Sequence, residues 1–214
     1  MSDAAKKTAA TPGLGTTLAS IVNGCFGDYL SQRDNGLAID MAFYRNNRPL
    51  PLTPEALREA FPAPTSKLCV LVHGLCCHEG AWDYPDNPAR SYGSALQDDL
   101  GYTPFFLRYN TGLPIPYNGT ALDALLEKLL AAYPLDVEEL VLVGHSMGGL
   151  VLRGACHFGA ERGATWVGKV KRVFYIGTPH EGAALERAGH QVYSVLHAVP
   201  HPITARLGEV AGTR

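Results

Sequence analysis

The serine in Gly144-His145-Ser146-Met147-Gly148 carries the plainest chemical meaning in this chain. It follows the apolar run Leu140-Val-Leu-Val143 and precedes Gly149-Leu-Val-Leu152, so the segment reads as strand, tight turn and helix start. On such a turn a serine hydroxyl is pushed into the open, because glycines at 144, 148 and 149 let neighbouring backbone pass close by. The helix behind it aims its first N–H groups at the same spot. Negative charge developing on a substrate carbonyl oxygen there meets the positive end of a dipole. Ser146 is therefore the candidate nucleophile and the N–H of Met147 a candidate oxyanion donor. His145 is adjacent to the serine in a strained turn, so its side chain points away from it, and it is assigned to the wall of the substrate pocket.

With 23 glycines in 214 residues a Gly-x-Ser-x-Gly match can arise by chance. A second pattern in the right order gives it weight. Val70-Leu-Val-His73-Gly74-Leu75 closes an earlier apolar strand, and the residue after its glycine, Leu75, supplies the other oxyanion N–H. His73 itself reads as structural. Trp82, with Tyr84, is a candidate for lining or lidding an acyl pocket, with ordinary core as an equal alternative. Cys76, Cys77 and His78 are too close together to share a tetrahedral metal, so no metal is expected. The stretch from Gly163 to Lys169 superficially matches a phosphate loop, but Val170 stands where serine or threonine is needed and a strand follows instead of a helix. No cofactor is expected.

The elements that must position these groups are short apolar strands alternating with helices, the pattern of a parallel sheet covered on both faces. Strands are predicted over 68–72, 104–109, 139–143 and 170–176, and helices over 89–100, 120–133 and 147–159. Upstream, 19–30 has helical spacing, 37–44 alternates as a strand does, and Thr53-Pro54-Glu55 opens a short helix that Phe61-Pro-Ala-Pro64 ends. Residues 1–15 read as a disordered leader, 16–66 as an N-terminal elaboration of helix and strand, and 67–214 as a partial core.

Composition narrows the function classes. A content of 46% hydrophobic and 18% charged residues fits a globular chain, and a net charge of -2 leaves no basic footprint for nucleic acid. No apolar run approaches the roughly 20 residues that span a bilayer. Five cysteines without a CxxC pair favour a reducing, cytoplasmic setting over a disulfide framework.

His73-Gly74-Leu75, Gly144-His-Ser-Met-Gly-Gly-Leu-Val151 and Gly177-Thr-Pro-His-Glu-Gly182 together resemble the lipase/esterase group of the α/β-hydrolase superfamily, related to triacylglycerol lipases and PGAP-like proteins. The resemblance spans about residues 67–185. It implies a mostly parallel sheet with helices on both faces, a small-molecule or lipid ester substrate, and a Gly-Thr-Pro-His loop beside the nucleophile. Cys76 departs from the pattern, since many bacterial lipases have a glycine after this motif.

A serine needs a histidine to take its proton and an acid to orient that histidine, in the order Ser, acid, His. Past Ser146 there is no aspartate. The acids are Glu161, Glu181, Glu186 and Glu209, and the histidines are His157, His180, His190, His197 and His201. None has a recognisable triad setting, and two expected strands are not seen. The fold is thus expected to be C-terminally incomplete, with the acid and base beyond residue 214. The alternative is a relocated acid, Glu181, working with His190, His197 or His201. The expected activity is ester hydrolysis through an acyl-enzyme on Ser146. Acyl transfer on the same elbow, or an inert fragment or interaction module, are the competing readings.

Overall fold

A strand with apolar side chains on both sides of its pleat needs cover on both faces, and that demand organises this sheet. The computed structural model describes residues 14–32 and 39–181. Its strands are β1 (Ala42–Arg45), β2 (Arg48–Pro49), β3 (Lys67–Val72), β4 (Asp83–Tyr84), β5 (Asn87–Ser91), β6 (Thr103–Arg108), β7 (Glu139–His145) and β8 (Val170–Ile176). Its α-helices are α1 (Leu14–Gln32), α2 (Pro54–Ala60), α3 (Tyr92–Leu100), α4 (Ile115–Ala132) and α5 (Met147–Glu161).

Six strands form one sheet in the order β2-β1-β6-β3-β7-β8, while β4 and β5 pair separately. The run β6-β3-β7-β8 is parallel, and β1 is antiparallel to both of its neighbours. This mostly parallel α/β sheet is the expected fold class. The chain steps from β3 to β6 in one direction, then jumps back across β3 to β7 and continues to β8. Because such crossovers are right-handed, the reversal sends α4 and α5 to the face opposite α3. Packing agrees. Leu68, Val70 and Val72 meet Leu122, Leu126 and Leu129 of α4 and Val151, Leu152 and Ala155 of α5. On the other face Cys69, Leu71, Val141 and Val143 meet Trp82 and Tyr102, with Leu96 of α3 against them.

The N-terminal segment shares this core. β1 and β2 extend the sheet through a two-residue turn at Asn46 and Asn47, whose φ values of 50° and 59° suit the mirror-image turns that match strand twist. Thr53 caps α2 by accepting from the Ala56 N–H at 3.2 Å, as its sequence indicates. On the α4/α5 side, Asp123 is buried and accepts from Arg162 at 2.6 and 2.8 Å and from the Trp166 indole at 2.8 Å, which fixes the segment leading into β8.

Three expectations need correction. The helix predicted over 89–100 is strand β5 up to Ser91 and helix only from Tyr92, because Ser91 and Ser94 form a reciprocal capping box that starts the helix there. Helix α4 begins at Ile115 rather than 120, with Pro116 in its first turn where a missing N–H costs nothing. The strand predicted over 37–44 is strand only from Ala42, with residues 33–38 outside the described residues. The expected leader lies outside them too, apart from Leu14 and Gly15, which start α1.

Candidate functional site

Ser146 stands between the last residue of β7 and the first turn of α5, with φ 52° and ψ -126°. That backbone conformation is strained for any side chain and is held by close packing on every side. A Cβ on Gly144 would lie 2.6 Å from the Gly149 Cα, and one on Gly148 would strike the carbonyl oxygens of Val72 and His73. A Cβ on Gly149 would collide with Thr178. The Ser146 N–H donates to the Ile176 carbonyl at 2.8 Å, tying the turn to the end of β8. Glycine is thus required at 144, 148 and 149 by three different neighbours: the helix start, the end of β3 and the Gly177-Thr178 segment.

β3 and β7 are adjacent, and the strand order reverses between them. In open α/β sheets ligands bind at the carboxyl ends of strands at such a switch point. His73-Gly74 leaves β3 there beside the elbow. A Cβ on Gly74 would come within 3.0 Å of the Ser146 Cβ and 3.3 Å of the His145 Nδ1. Leu75 and Cys76 then form the middle of a turn closed by the Cys77 N–H donating to the Gly74 carbonyl at 3.3 Å. Cys76 has φ 59°, so the position where the chain departs from the lipase-like pattern is one whose backbone favours glycine.

The turn is supported from beneath. Thr111 Oγ1 accepts from the Cys76 N–H at 3.1 Å, and the buried Tyr109 hydroxyl donates to the His73 carbonyl at 2.9 Å. His73 is fully buried, stacked on the Tyr109 ring at 4.7 Å, and donates from Nδ1 to the Gly74 carbonyl at 3.0 Å. Burial pushes its pKa down to about 4 against that hydrogen bond, with the charges of His78, Arg108 and His145 adding to the fall. A neutral imidazole holding backbone accords with a structural role. Nearby, Arg108 at the end of β6 pairs with Glu79 and lies 3.9 Å from the Tyr44 ring centre, anchoring the loop that leaves β3.

The other candidates are dispersed. His145 is exposed beside the elbow, and Met147 is buried at the head of α5. Trp82 is 6% exposed and packs in the sheet core with Leu71 and Val141, the core alternative of its two readings. His180 contacts Arg153 at 3.3 Å and the Tyr175 ring, and His157 pairs with Glu161 on the surface. Among the described residues, no imidazole or carboxylate is hydrogen-bonded to the Ser146 hydroxyl, and no three His, Cys, Asp or Glu side chains are grouped to hold a metal. Glu181 is exposed, and Glu186, Glu209, His190, His197 and His201 lie outside the described residues. No helix among them is long and apolar enough to cross a membrane.

Sequence reasoning missed the supports. Thr111, Tyr109 and Arg108, the partner of Glu79, lie far along the chain from the turn they hold. The one available sign was the polar Asn110-Thr111 directly after an apolar strand.

The stretch holding the elbow, α5, β8 and the Gly177-Thr178 segment has a known counterpart. Residues 119–207 match the PGAP1-like alpha/beta domain. That family falls in the alpha/beta hydrolase superfamily, in keeping with the sheet order and the strand-turn-helix around Ser146. The PGAP1-like match begins within α4, so β3 and its His73-Gly74 turn lie upstream of it. No curated protein and no solved structure matches the chain.

Proposed function

We propose that this protein is a serine hydrolase of carboxylic esters, with Ser146 as the attacking nucleophile and the N–H groups of Leu75 and Met147 receiving the oxyanion. The observation that carries the reading is the strained Ser146 backbone, φ 52° and ψ -126°, at the head of α5 and at the switch point of a mostly parallel sheet. Strain of that kind persists only where surrounding structure holds it, and it concentrates at reactive positions. Attack by Oγ on the ester carbonyl forms a tetrahedral intermediate. Its oxyanion faces the Met147 N–H at the positive end of α5 and the turn at Leu75. Collapse expels the alcohol, its oxygen taking up the proton that Oγ gave up on attack, and leaves an acyl group on Ser146, which water then releases as the carboxylic acid with return of a proton to Oγ.

A fluorophosphonate probe tests the nucleophile. Stoichiometric labelling that Ser146→Ala abolishes is expected, together with turnover of a short p-nitrophenyl ester. A wild-type chain that neither labels nor turns over refutes the proposal. Labelling without turnover separates a competent elbow from a complete triad, whereas turnover directs the search for the base to His190, His197 and His201, with Glu181 as the acid.

A further inference from the structure

The N-terminal helix α1 is seated in an unusual way. Among its described side chains, over residues 15–24, the buried positions are the small or polar Ser20, Asn23 and Gly24, while Leu18, Ile21 and Val22 are 54%, 43% and 38% exposed. A helix docked by apolar burial shows the reverse arrangement. Over residues 15–24 this helix makes a close approach to the turn after β3. A Cβ on Gly24 would lie 3.1 Å from both the Cα and the backbone N of Cys76 and would run into its Sγ. Seven residues earlier, Thr17 Oγ1 is 3.2 Å from His78 Nε2. His78 Nδ1 accepts from the Gly80 N–H at 3.0 Å, so its proton is on Nε2 and is donated to Thr17. On the inner side Thr111 holds the Cys76 N–H. The turn is therefore gripped from outside by α1 and from inside by Thr111, with Cys76 kept between them at φ 59°.

We propose that α1 is a brace for the Leu75-Cys76 turn, with Gly24 as a positioning residue that fixes the direction of the Leu75 N–H. The inference rests on the ester-hydrolase reading for its catalytic consequence, but the brace itself is a statement about structure. A non-glycine residue at a left-handed position relaxes toward ordinary backbone when its supports give way. Relaxation of Cys76 rotates the peptide units on either side of it and turns the oxyanion donor away from the carbonyl. Glycine at 24 is what lets the helix backbone come close enough to prevent this.

The test is Gly24→Ala in the full chain, alone and combined with Cys76→Gly. Alanine is the better helix former, so loss of α1 is not the expected effect. Loss of a whole oxyanion donor costs about 100- to 1,000-fold in kcat, and a partial displacement is expected to cost about 10-fold, with KM little changed. The same substitution should lower the ratio of ester to thionoester turnover, because sulfur is the weaker hydrogen-bond acceptor and gains less from the donors. A fold-wide defect would lower both rates equally and leave the ratio unmoved. In the Cys76→Gly background the Sγ is gone and the turn no longer carries strain, so adding Gly24→Ala should cost no more than about 3-fold. Independently of turnover, amide hydrogen exchange at Cys76 and Cys77 should quicken in Gly24→Ala. Unchanged exchange there, or an undiminished loss in the Cys76→Gly background, overturns the brace. A wild-type chain without labelling or turnover overturns the ester-hydrolase reading instead and leaves exchange to decide the brace.

Discussion

Replacing glycine with alanine at two sites of α5 should have opposite effects. At Gly154 a new Cβ meets its nearest neighbour, the Gly119 Cα, at 3.5 Å, an ordinary contact. Nothing opposes the gain in helix propensity, so Gly154→Ala should stabilise by about 0.5–1 kcal/mol. At Gly148 the Cβ meets the carbonyl oxygens of Val72 and His73 at the end of β3, which are backbone atoms without a side chain's freedom to rotate away. Overpacking against a core costs about 1–3 kcal/mol, and the upper end applies where the obstacle is backbone, so the net is about 2 kcal/mol of destabilisation. The gap between the variants is then about 3 kcal/mol, or about 1.5 M in urea midpoint for a slope of about 2 kcal/mol/M. Urea unfolding with unchanged slope measures it, and fluorophosphonate labelling of folded protein should slow only in Gly148→Ala. If the two variants shift stability in the same direction, the close packing of the elbow on β3 is wrong.

Three further outcomes are expected. Ser146→Gly should abolish labelling yet raise stability by about 1 kcal/mol, because glycine adopts φ 52° without strain. His73 has a folded pKa of about 4 against an unfolded value near 6.5, so the unfolded chain binds its proton first. Stability is then lost as pH falls from 6.5 toward 4, by about 3 kcal/mol from this group, and an NMR titration should find His73 neutral at pH 5.5. Asp123→Ala should cost about 2–3 kcal/mol by leaving the Trp166 N–H without an acceptor. Burial alone raises the Asp123 pKa, but hydrogen bonds from Arg162 and Trp166 and the charge of Arg162 hold it below the usual carboxylate range. The cost of that variant should therefore be full above about pH 4 and shrink as the carboxyl is protonated, as denaturation across pH will measure.

The central strands were legible because their apolar runs have no other reading. β8 coincides with its predicted span, and β3, β6 and β7 differ at their ends by two residues or fewer. The elbow was legible for a related reason, since Gly-x-Ser-x-Gly set between an apolar run and a helical stretch has few other readings. Boundaries set by polar caps were harder. Ser91-x-x-Ser94 is itself a helix-start signal, but the apolar spacing around it drew the predicted helix too far upstream. The Asn46-Asn47 turn was passed over because neither residue is glycine, although asparagine tolerates positive φ better than most. The seating of Gly24 on Cys76 could not have been read at all, since two residues 52 positions apart acquire that relation only through tertiary packing.

The strand order also sets a timetable. Lys67 of β3 pairs with Glu139 of β7, a separation of 139 - 67 = 72 residues. At synthesis rates of about 5–20 residues per second, β3 must wait roughly 4–14 s after emerging before its neighbour on that side exists. Until then the His73-Gly74 turn has nothing to lean against on the side where Ser146 will stand, although α1 and Thr111, which hold Cys76, have already been made. The two halves of the candidate site therefore meet late, by the closing of the sheet.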